Sequence, residues 1–315
     1  MIKTSCPGKV MLAGEYSVLF GGRFLASTVK SSMNVTLQKN STGVIKVLSP
    51  IWEKALIVKR SDAATSPEPS IHIFSTLDLN ADIPEEVGVE VTIKPENFEV
   101  SYGIGSSSAI RISILTAANA LFNLNLSAKK ISWLAYVDQK STQGKASGYD
   151  IITQCTDGLV KGTIDYDPAK WPGKIENIAA GSTITNHLSI YVGTTGAPTA
   201  SLVNKTLEFI ESRSLQDKII TASEELIDLL TSSRFLFKEV RDSIINFREC
   251  FKGSAAYSTR IEHALSSLPG YDELFTWKTT GAGGEDAILV FGPTSSDLTK
   301  ALDGLGYKKA SFQLS

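Results

Sequence analysis

Glycines and serines are concentrated in the stretch 101–113, SYGIGSSSAIRIS, which runs directly into a segment with helical periodicity. The start of a helix leaves backbone N–H groups unpaired and carries a partial positive charge, so it attracts anions. Glycines let the backbone approach an anion closely, and serine hydroxyls can bond phosphate oxygens or magnesium. The stretch is therefore a candidate phosphate cradle. A serine-capped helix after a glycine turn explains the same residues without a ligand. The GxxxxGK[ST] phosphate loop is excluded, because no lysine follows the glycines.

Three further stretches place charged residues among apolar or small ones. In 7–22, PGKVMLAGEYSVLFGG, the charged residues are Lys9 and Glu15. Because burying an unpaired charge is costly, Lys9 is either a surface residue or is held against an anion. In 143–157, QGKASGYDIITQCTD, Asp150 lies in the first turn of a predicted helix, where the helix dipole favours an acid with or without a cleft. The stretch 279–287, TTGAGGEDA, suits either a hairpin turn or a loop that closes over phosphates.

The composition is that of a soluble globular protein, with 42% hydrophobic and 20% charged residues among 315. A formal net charge of −2 predicts no general attraction to nucleic acid or to anionic membranes. No apolar run approaches the roughly 20 residues of a membrane span. The cysteines Cys6, Cys155 and Cys250 lack metal-ligand spacing, so we expect reduced thiols and a cytoplasmic location.

Hydrophobic periodicity predicts an α+β chain. Strands are expected at FLASTV, MNVTLQ, VIKVL and GVEVTI, with 7–22 between strands, and helices are expected at 70–77, from 106, at 129–137 and near 147. The segment 166–182 is rich in proline and glycine, which predicts a junction between domains of residues 1–175 and 176–315. The second domain is expected to run from the strand LSIYVG through helices to the strands LFTWKTT and AILVFG, the helix SSDLTKALDGL and the strand YKKASFQ.

In order and spacing, the four stretches resemble the GHMP kinase superfamily. That family is marked by PxGKxxLxGE, GxGSSxA and SGxD segments and a C-terminal glycine-rich loop, which read PGKVMLAGE, GIGSSSA, SGYD and TGAGGED in this chain. The resemblance spans nearly the whole chain. It implies an α+β GHMP kinase fold, with an N-terminal domain like ribosomal protein S5 domain 2 and a ferredoxin-like C-terminal domain. It also implies a left-handed βαβ crossover, against the general rule.

Within the family, the segments GEY, YVGTTGAPTASLV and TGAGGED resemble phosphomevalonate kinases. Gln139 lies eleven residues before Asp150, where mevalonate kinases carry a magnesium-binding glutamate. The segment VLFGG, by contrast, is more like mevalonate kinases. The balance favours phosphomevalonate as the acceptor of the phosphoryl group. Mevalonate is the first alternative, and a non-catalytic binding protein with the same fold is the second.

The resemblance implies ATP and Mg²⁺ as cofactors and a small-molecule acceptor, and it leaves a homodimer open. It assigns catalysis to Lys9 and Asp150, with Lys9 keeping Asp150 ionised, and a magnesium contact to Ser107. The ATP site is assigned to Gly103, Ile104, Gly105, Ser106, Ser107, Ser108 and Ala109. The acceptor site is assigned to Lys9, Glu15, Tyr16, Lys145, Ser147, Gly148, Asp150, Thr195, Gly281, Ala282 and Gly283. Lys140 and Arg111 are further candidates for holding the phosphate of the acceptor.

Overall fold

A long antiparallel strand pair begins the chain and organises its first half. The computed structural model describes residues 1–50, 52–84, 86–97, 103–178, 182–193, 199–311 and 313–315. In it, β1 (Ile2–Ala13) pairs with β2 (Phe24–Asn40) along its length. In the second half of β2 every other residue is buried, which is the two-residue period of a strand with one face on the core.

The first sheet contains seven strands in the order β4-β3-β5-β2-β6-β7, with β1 attached to β2. Its further strands are β3 (Val44–Leu48), β4 (Leu56–Lys59), β5 (Gly88–Glu96), β6 (Leu159–Ile164) and β7 (Gly173–Ile178). β3 and β5 are parallel, and the other pairings are antiparallel. The parallel pair requires a crossover connection, which β4 and the first α-helix supply.

Within the described part of the first half, four α-helices accompany this sheet, with short 3-10 helices at Ser17–Phe20 and Arg60–Thr65. They are α1 (Pro69–Asp78), α2 (Ser106–Phe122), α3 (Ala128–Gln143) and α4 (Tyr149–Thr156). α2 packs against β1 and β2 on one side and against α1 and α3 on the other. Most of its side chains are therefore buried, including the charged Arg111.

The second half forms a smaller antiparallel sheet in the order β11-β8-β10-β9. Its elements are α5 (Ser182–His187), β8 (Leu188–Val192), α6 (Thr199–Ser212), α7 (Gln216–Thr231), α8 (Phe237–Glu249), α9 (Thr259–Ser266), β9 (Thr276–Thr279), β10 (Ala287–Phe291), α10 (Ser296–Gly304) and β11 (Lys308–Lys309). The β-α-β-β-α-β succession is that of ferredoxin-like domains, as the resemblance implied. Across the described ranges, no helix combines the length and apolar character needed to cross a bilayer.

Three sequence predictions need correction. The strands expected at FLASTV and MNVTLQ are one strand, β2. Residues 7–13 belong to β1 instead of a connection between strands; from Gly8 onward β1 is buried on both faces, so it shows no polar alternation. The boundary at 175/176 falls inside β7, which pairs with β6 over six positions, so the first sheet extends to Ile178.

β1 joins the two halves, because its side chains enter two different cores. Cys6 and Met11 belong to the core of the first half. Val10 and Leu12 belong to a second core built with α7, α8 and β10. The second half also contacts β1 through a hydrogen bond of 2.7 Å from Thr280 Oγ1 to the Met11 carbonyl oxygen. The cleft between the halves is therefore lined by the end of β1.

The turn that follows β1 depends on a glycine. Gly14 has φ +104°, and a Cβ there would lie 2.6 Å from the carbonyl oxygen of Arg23. We expect Gly14→Ala to lower the free energy of unfolding by roughly 3 kcal/mol, because a steric clash adds to an unfavourable backbone conformation. Gly21→Ala is the matched control, since Gly21 has φ +88° and a Cβ there would meet no atom of the described residues within 4 Å. It should cost about 1 kcal/mol. Urea unfolding measures both, and equal losses would contradict the steric account.

Candidate active site

A cavity of about 520 Å³ lies between the two halves. It brings together residues from all four stretches that the sequence singled out. From β1 and the turn after it come Lys9, Glu15 and Tyr16, and from the serine-rich stretch Gly103, Gly105, Ser106, Ser107 and Ser108. The remaining predicted residues in its wall are Lys145, Ser147, Asp150, Gly281 and Ala282.

The serine-rich stretch forms a tight loop before α2. Gly103 and Gly105 have φ of +67° and +83°, conformations that glycine adopts without strain. Gly105 is the N-cap residue of α2 and provides no side-chain cap, so the N–H groups of the first turn remain suited to an anion. The backbone N–H of Lys9 donates to the Ile104 carbonyl oxygen at 2.8 Å, which fixes the loop against β1.

Lys9 is a buried cation, with 5% of its surface exposed. Its Nζ donates to the Gly103 carbonyl oxygen at 3.0 Å and to Tyr149 Oη at 2.8 Å. Both partners are neutral, so these bonds leave the charge without a directly bonded counter-ion. Burial lowers the pKa of Lys9, and the nearby carboxylates of Asp150 and Glu15 partly offset this effect. An ammonium in this state favours the entry of an anion into the cavity.

Asp150 lies in the first turn of α4, as predicted, and faces the same cavity. Its Oδ2 accepts a hydrogen bond of 2.7 Å from Gln139 Nε2. Gly148, the residue before the helix, has φ +78° and lies against Tyr136 and Trp171, where a Cβ would approach ring atoms to 2.8 and 2.9 Å. The aromatic pair and the glycine therefore fix where α4 begins, and with it the position of Asp150.

A buried ion pair closes the opposite wall. Glu15 Oε1 accepts a short hydrogen bond from Lys278 Nζ of β9, and both side chains are buried. Glu15 Oε2 is buried and has no hydrogen-bond partner within the part of the chain that the structure describes. Burial raises the pKa of Glu15 and lowers that of Lys278, and each charge opposes the shift of the other. Tyr16 Oη donates to the Ala282 carbonyl oxygen at 2.7 Å, which ties the glycine-rich turn to β1.

Several predicted site residues do not line the cavity. Ile104 and Ala109 are buried in the first core, and a Cβ on Gly283 would strike Ala256 at 2.7 Å, so their roles are in packing. Gly148 supports α4, as described above. Thr195 lies outside the described residues.

Two predicted phosphate-binding cations are also placed elsewhere. Arg111 is buried and pairs with Asp138, so it does not reach the acceptor side as predicted. Lys140 is exposed, and its Nζ lies 5.8 Å from the centre of the Tyr136 ring. Lys9 and Lys145 are the cationic side chains that line the cavity among the residues described.

The cavity also contains residues that the sequence reasoning gave no binding role. They include Tyr149, Gln139, Gln143 and Asp286. Tyr149 lies directly between two predicted site residues, Gly148 and Asp150, which was the available signal. Gln139 is a neutral residue at the position where mevalonate kinases carry a magnesium-binding glutamate. In the structure its Nε2 donates a hydrogen bond directly to Asp150.

The donor set fits a magnesium ion that arrives with a nucleotide. The described residues contain no cluster of three or more His, Cys, Asp or Glu side chains suited to a metal. Mg²⁺ in kinase sites needs only one or two protein carboxylates, because phosphates and water fill the other positions. Asp150 supplies one carboxylate. Gln139 directs its Nε2 at Asp150, and its Oε1 is buried without a hydrogen-bond partner in the described ranges, so it is not exposed to an ion in the cavity.

Comparison with known proteins finds a family match within the first half of the chain. Residues 71–158 match the family described as GHMP kinases N terminal domain. The mevalonate kinase of Thermococcus gammatolerans is 24% identical over 314 residues, covering 93% of this chain and 89% of that protein. The mevalonate kinase of Archaeoglobus fulgidus is 25% identical over 285 residues, covering 90% of each. That of Pyrococcus horikoshii is 28% identical over 240 residues, covering 72% and 68%.

Solved structures confirm the predicted GHMP kinase fold. Methanococcus jannaschii mevalonate kinase aligns with a TM-score of 0.76 and 20% identity, covering 100% of this chain and 98% of that one. Streptococcus pneumoniae phosphomevalonate kinase, in complex with phosphomevalonate and AMPPNP, aligns with a TM-score of 0.74 and 15% identity, covering 100% of both. The resemblance to the mevalonate and phosphomevalonate kinase branch is therefore confirmed, and the choice between the two acceptors is left open.

The loop before α2 should be intolerant of a side chain at Gly105. A Cβ there would lie 3.0 Å from Lys9 Cε and from Gln154 Nε2 at φ +83°. We expect Gly105→Ala to displace the Lys9 ammonium and to weaken ATP binding at least tenfold, measured by isothermal titration calorimetry. Gly144→Ala is the matched control, because Gly144 also has positive φ, at +73°, but a Cβ there would meet no described atom within 4 Å. Equal affinity in the two variants would contradict this role for the loop.

Proposed function

We propose that this chain, whose residues 71–158 form a GHMP kinase N-terminal domain, is an ATP-dependent kinase that phosphorylates mevalonate. One observation carries the kinase proposal. The serine-rich start of α2, the buried Lys9 and the carboxylate of Asp150 all line a single cavity, although they come from distant parts of the sequence. Phosphoryl transfer depends mainly on positioning and charge stabilisation, and these three elements supply both.

The roles of the residues follow from their contacts. The first turn of α2 binds the phosphates of ATP through its backbone N–H groups and serine hydroxyls. Lys9 stabilises negative charge on the phosphoryl group during transfer. Asp150, oriented by Gln139, accepts the proton of the attacking hydroxyl. Mg²⁺ bound with the nucleotide would be held by the phosphates, by water and by the Ser107 hydroxyl that the resemblance assigns to it, and it would neutralise phosphate charge.

Two observations favour mevalonate as the acceptor. Two curated relatives that align with 90% or more of this chain are mevalonate kinases, at 24% and 25% identity. In addition, an acceptor that already carries a phosphate needs cations to hold it. Arg111 is committed to Asp138 and Lys140 lies against Tyr136, which leaves few cations for that task. A hydroxyl acceptor instead needs a proton acceptor, and Asp150 meets that need.

Phosphomevalonate is the second candidate, and Lys145 favours it. Lys145 lines the cavity close in sequence to Asp150 and could pair with an acceptor phosphate. The segments GEY and TGAGGED, with Asp286, point the same way. A phosphate nucleophile is largely ionised at neutral pH, since its second pKa is about 6, so it needs no general base. Asp150 would then orient the acceptor instead of deprotonating it.

An ADP-release assay that offers mevalonate and 5-phosphomevalonate separately tests the proposal. We expect turnover with mevalonate and a phosphorylated product by mass spectrometry. Asp150→Asn should lower kcat by about 100-fold or more, because it removes the general base. Turnover with phosphomevalonate alone would overturn the mevalonate assignment in favour of the second candidate. Tight ATP binding without turnover of either acceptor would overturn the kinase proposal and support a non-catalytic binding protein.

The pH dependence of the reaction should reflect the deprotonation of the Lys9 ammonium. Burial lowers the pKa of this lysine. As the pH rises through that lowered pKa, the ammonium loses its proton and can no longer stabilise phosphate charge, so the rate falls. The alkaline limb of kcat/KM for ATP should therefore lie below the ordinary lysine pKa of about 10.4. Lys9→Arg should move the limb upward, because a guanidinium stays protonated. If the alkaline limb stays at the same pH in Lys9→Arg, the limb reports the titration of another group.

A further inference from the structure

The hydroxyl of Tyr149 lies beside the Lys9 ammonium in the wall of the cavity. Tyr149 is the first residue of α4, immediately before Asp150, and it lines the cavity. Its Oη lies 2.8 Å from Lys9 Nζ. The glycine-rich turn is also close, because a Cβ on Gly281 would lie 3.6 Å from this oxygen. Lys9 and Gly281 line the same cavity, so the phenol oxygen lies between two parts of its wall.

The contact with Lys9 constrains the direction of the phenol hydrogen. An ammonium has three donors and no lone pair, so Tyr149 Oη accepts the hydrogen bond from Nζ. The O–H of Tyr149 is therefore free to donate to another atom, and among the described residues no acceptor bonds it. The side chain thus presents a hydrogen-bond donor to the cavity.

The phenol is suited to donate and not to act as a base. Burial raises the pKa of Tyr149 well above its usual value, and the charges of Asp150 and Glu15 act in the same direction. Tyr149 therefore keeps its proton at neutral pH. The hydrogen bond from the Lys9 ammonium also polarises the phenol, which makes its O–H a stronger donor.

We propose that Tyr149 is a further catalytic residue, whose hydroxyl donates a hydrogen bond to an oxygen of the phosphoryl group in transfer. Lys9 Nζ and Tyr149 Oη are adjacent donors, 2.8 Å apart, and the oxygens of one phosphoryl group are similarly close together. During transfer, negative charge is spread over three such oxygens, so two donors stabilise more of it than one. The inference rests on the proposed function and adds a second donor beside Lys9.

The attacking hydroxyl of the acceptor is a poorer partner for Tyr149. In the proposed function this hydroxyl gives its proton to Asp150, and a lone pair of its oxygen attacks phosphorus. A hydrogen bond from Tyr149 to that oxygen would engage a lone pair and lower its nucleophilicity. A donor is more useful on the phosphoryl oxygens, where it stabilises charge without weakening the nucleophile.

Tyr149→Phe tests the inference, because it removes the hydroxyl and keeps the ring. With the acceptor that the unmodified chain turns over, kcat should fall about tenfold or more, the effect of one hydrogen bond to a charged group. By calorimetry, the affinities for ADP, which lacks the transferred phosphoryl group, and for the acceptor alone should stay within twofold.

Tyr166→Phe is the matched control. Tyr166 Oη donates to the Ser147 carbonyl oxygen at 3.2 Å, and Tyr166 is not among the residues that line the cavity. This variant also loses a phenol hydroxyl near α4, and its kcat should stay within twofold of the unmodified chain. A loss in Tyr166→Phe equal to that in Tyr149→Phe would contradict a specific role for Tyr149.

The profile of kcat against pH separates a direct contact from an effect through Lys9. If Tyr149 only stabilised the ammonium, its loss would move the alkaline limb to lower pH and leave the plateau below that limb unchanged. A direct contact requires the plateau itself to fall. An unchanged plateau would therefore overturn the inference, and so would a loss confined to the KM of the acceptor, which would make Tyr149 an acceptor-binding residue. An unmodified chain that turns over neither acceptor would instead overturn the proposed function.

Discussion

The burial of the Lys9 ammonium is the constraint around which the cleft is built. A lysine held out of water by neutral partners is unstable as a cation, and burial lowers its pKa accordingly. The surrounding elements limit this cost without removing it. The Gly103 carbonyl oxygen and Tyr149 Oη accept two hydrogen bonds from Nζ, and the Tyr149 ring centre lies 5.0 Å from Nζ. In the proposed function, an incoming polyphosphate would pair with this charge, so the same group would contribute to binding and to charge stabilisation.

The second constraint is that residues from both halves of the molecule line the cleft. Glu15 and Lys278 form a buried pair between the turn after β1 and β9, and removal of one partner of such a pair typically costs about 3–5 kcal/mol. Thr280 and Tyr16 add hydrogen bonds across the same boundary. These contacts fix the glycine-rich turn relative to Lys9. The geometry of the site is therefore set by pairs of residues that are far apart in sequence.

Local signals predicted much of the architecture. The start of α2 at Ser106 and the place of Asp150 in the first turn of α4 follow from glycines and helical periodicity, which act over a few residues. The order of strands and helices in the second half was also predictable. β1 was harder to predict from the sequence, because a strand buried on both faces lacks the alternation of polar and apolar residues. β7 (Gly173–Ile178) is a short edge strand with mostly polar or half-exposed residues, which resembles a loop in sequence.

The site was predictable in its residues but less so in their roles. Lys9, Ser107 and Asp150 were predicted as site residues from their residue types and from the residues beside them. The role of Arg111 depends on Asp138, which lies on another helix, and no periodicity reveals that pairing. Gly148 was predicted from its place beside Asp150 to contact the acceptor, whereas the structure shows that it packs against Tyr136 and Trp171, two residues distant in sequence.

The sharing of β1 between two cores has a consequence for biosynthesis. Glu15 leaves the ribosome early, whereas Lys278 follows 263 residues later. At about 5–20 residues per second, the nascent chain carries that carboxylate without its partner for tens of seconds. Over the same interval Val10 and Leu12 have no second core to enter. Until the second core is synthesised, the N-terminal half therefore exposes apolar side chains of β1, and such exposed surface is prone to aggregation.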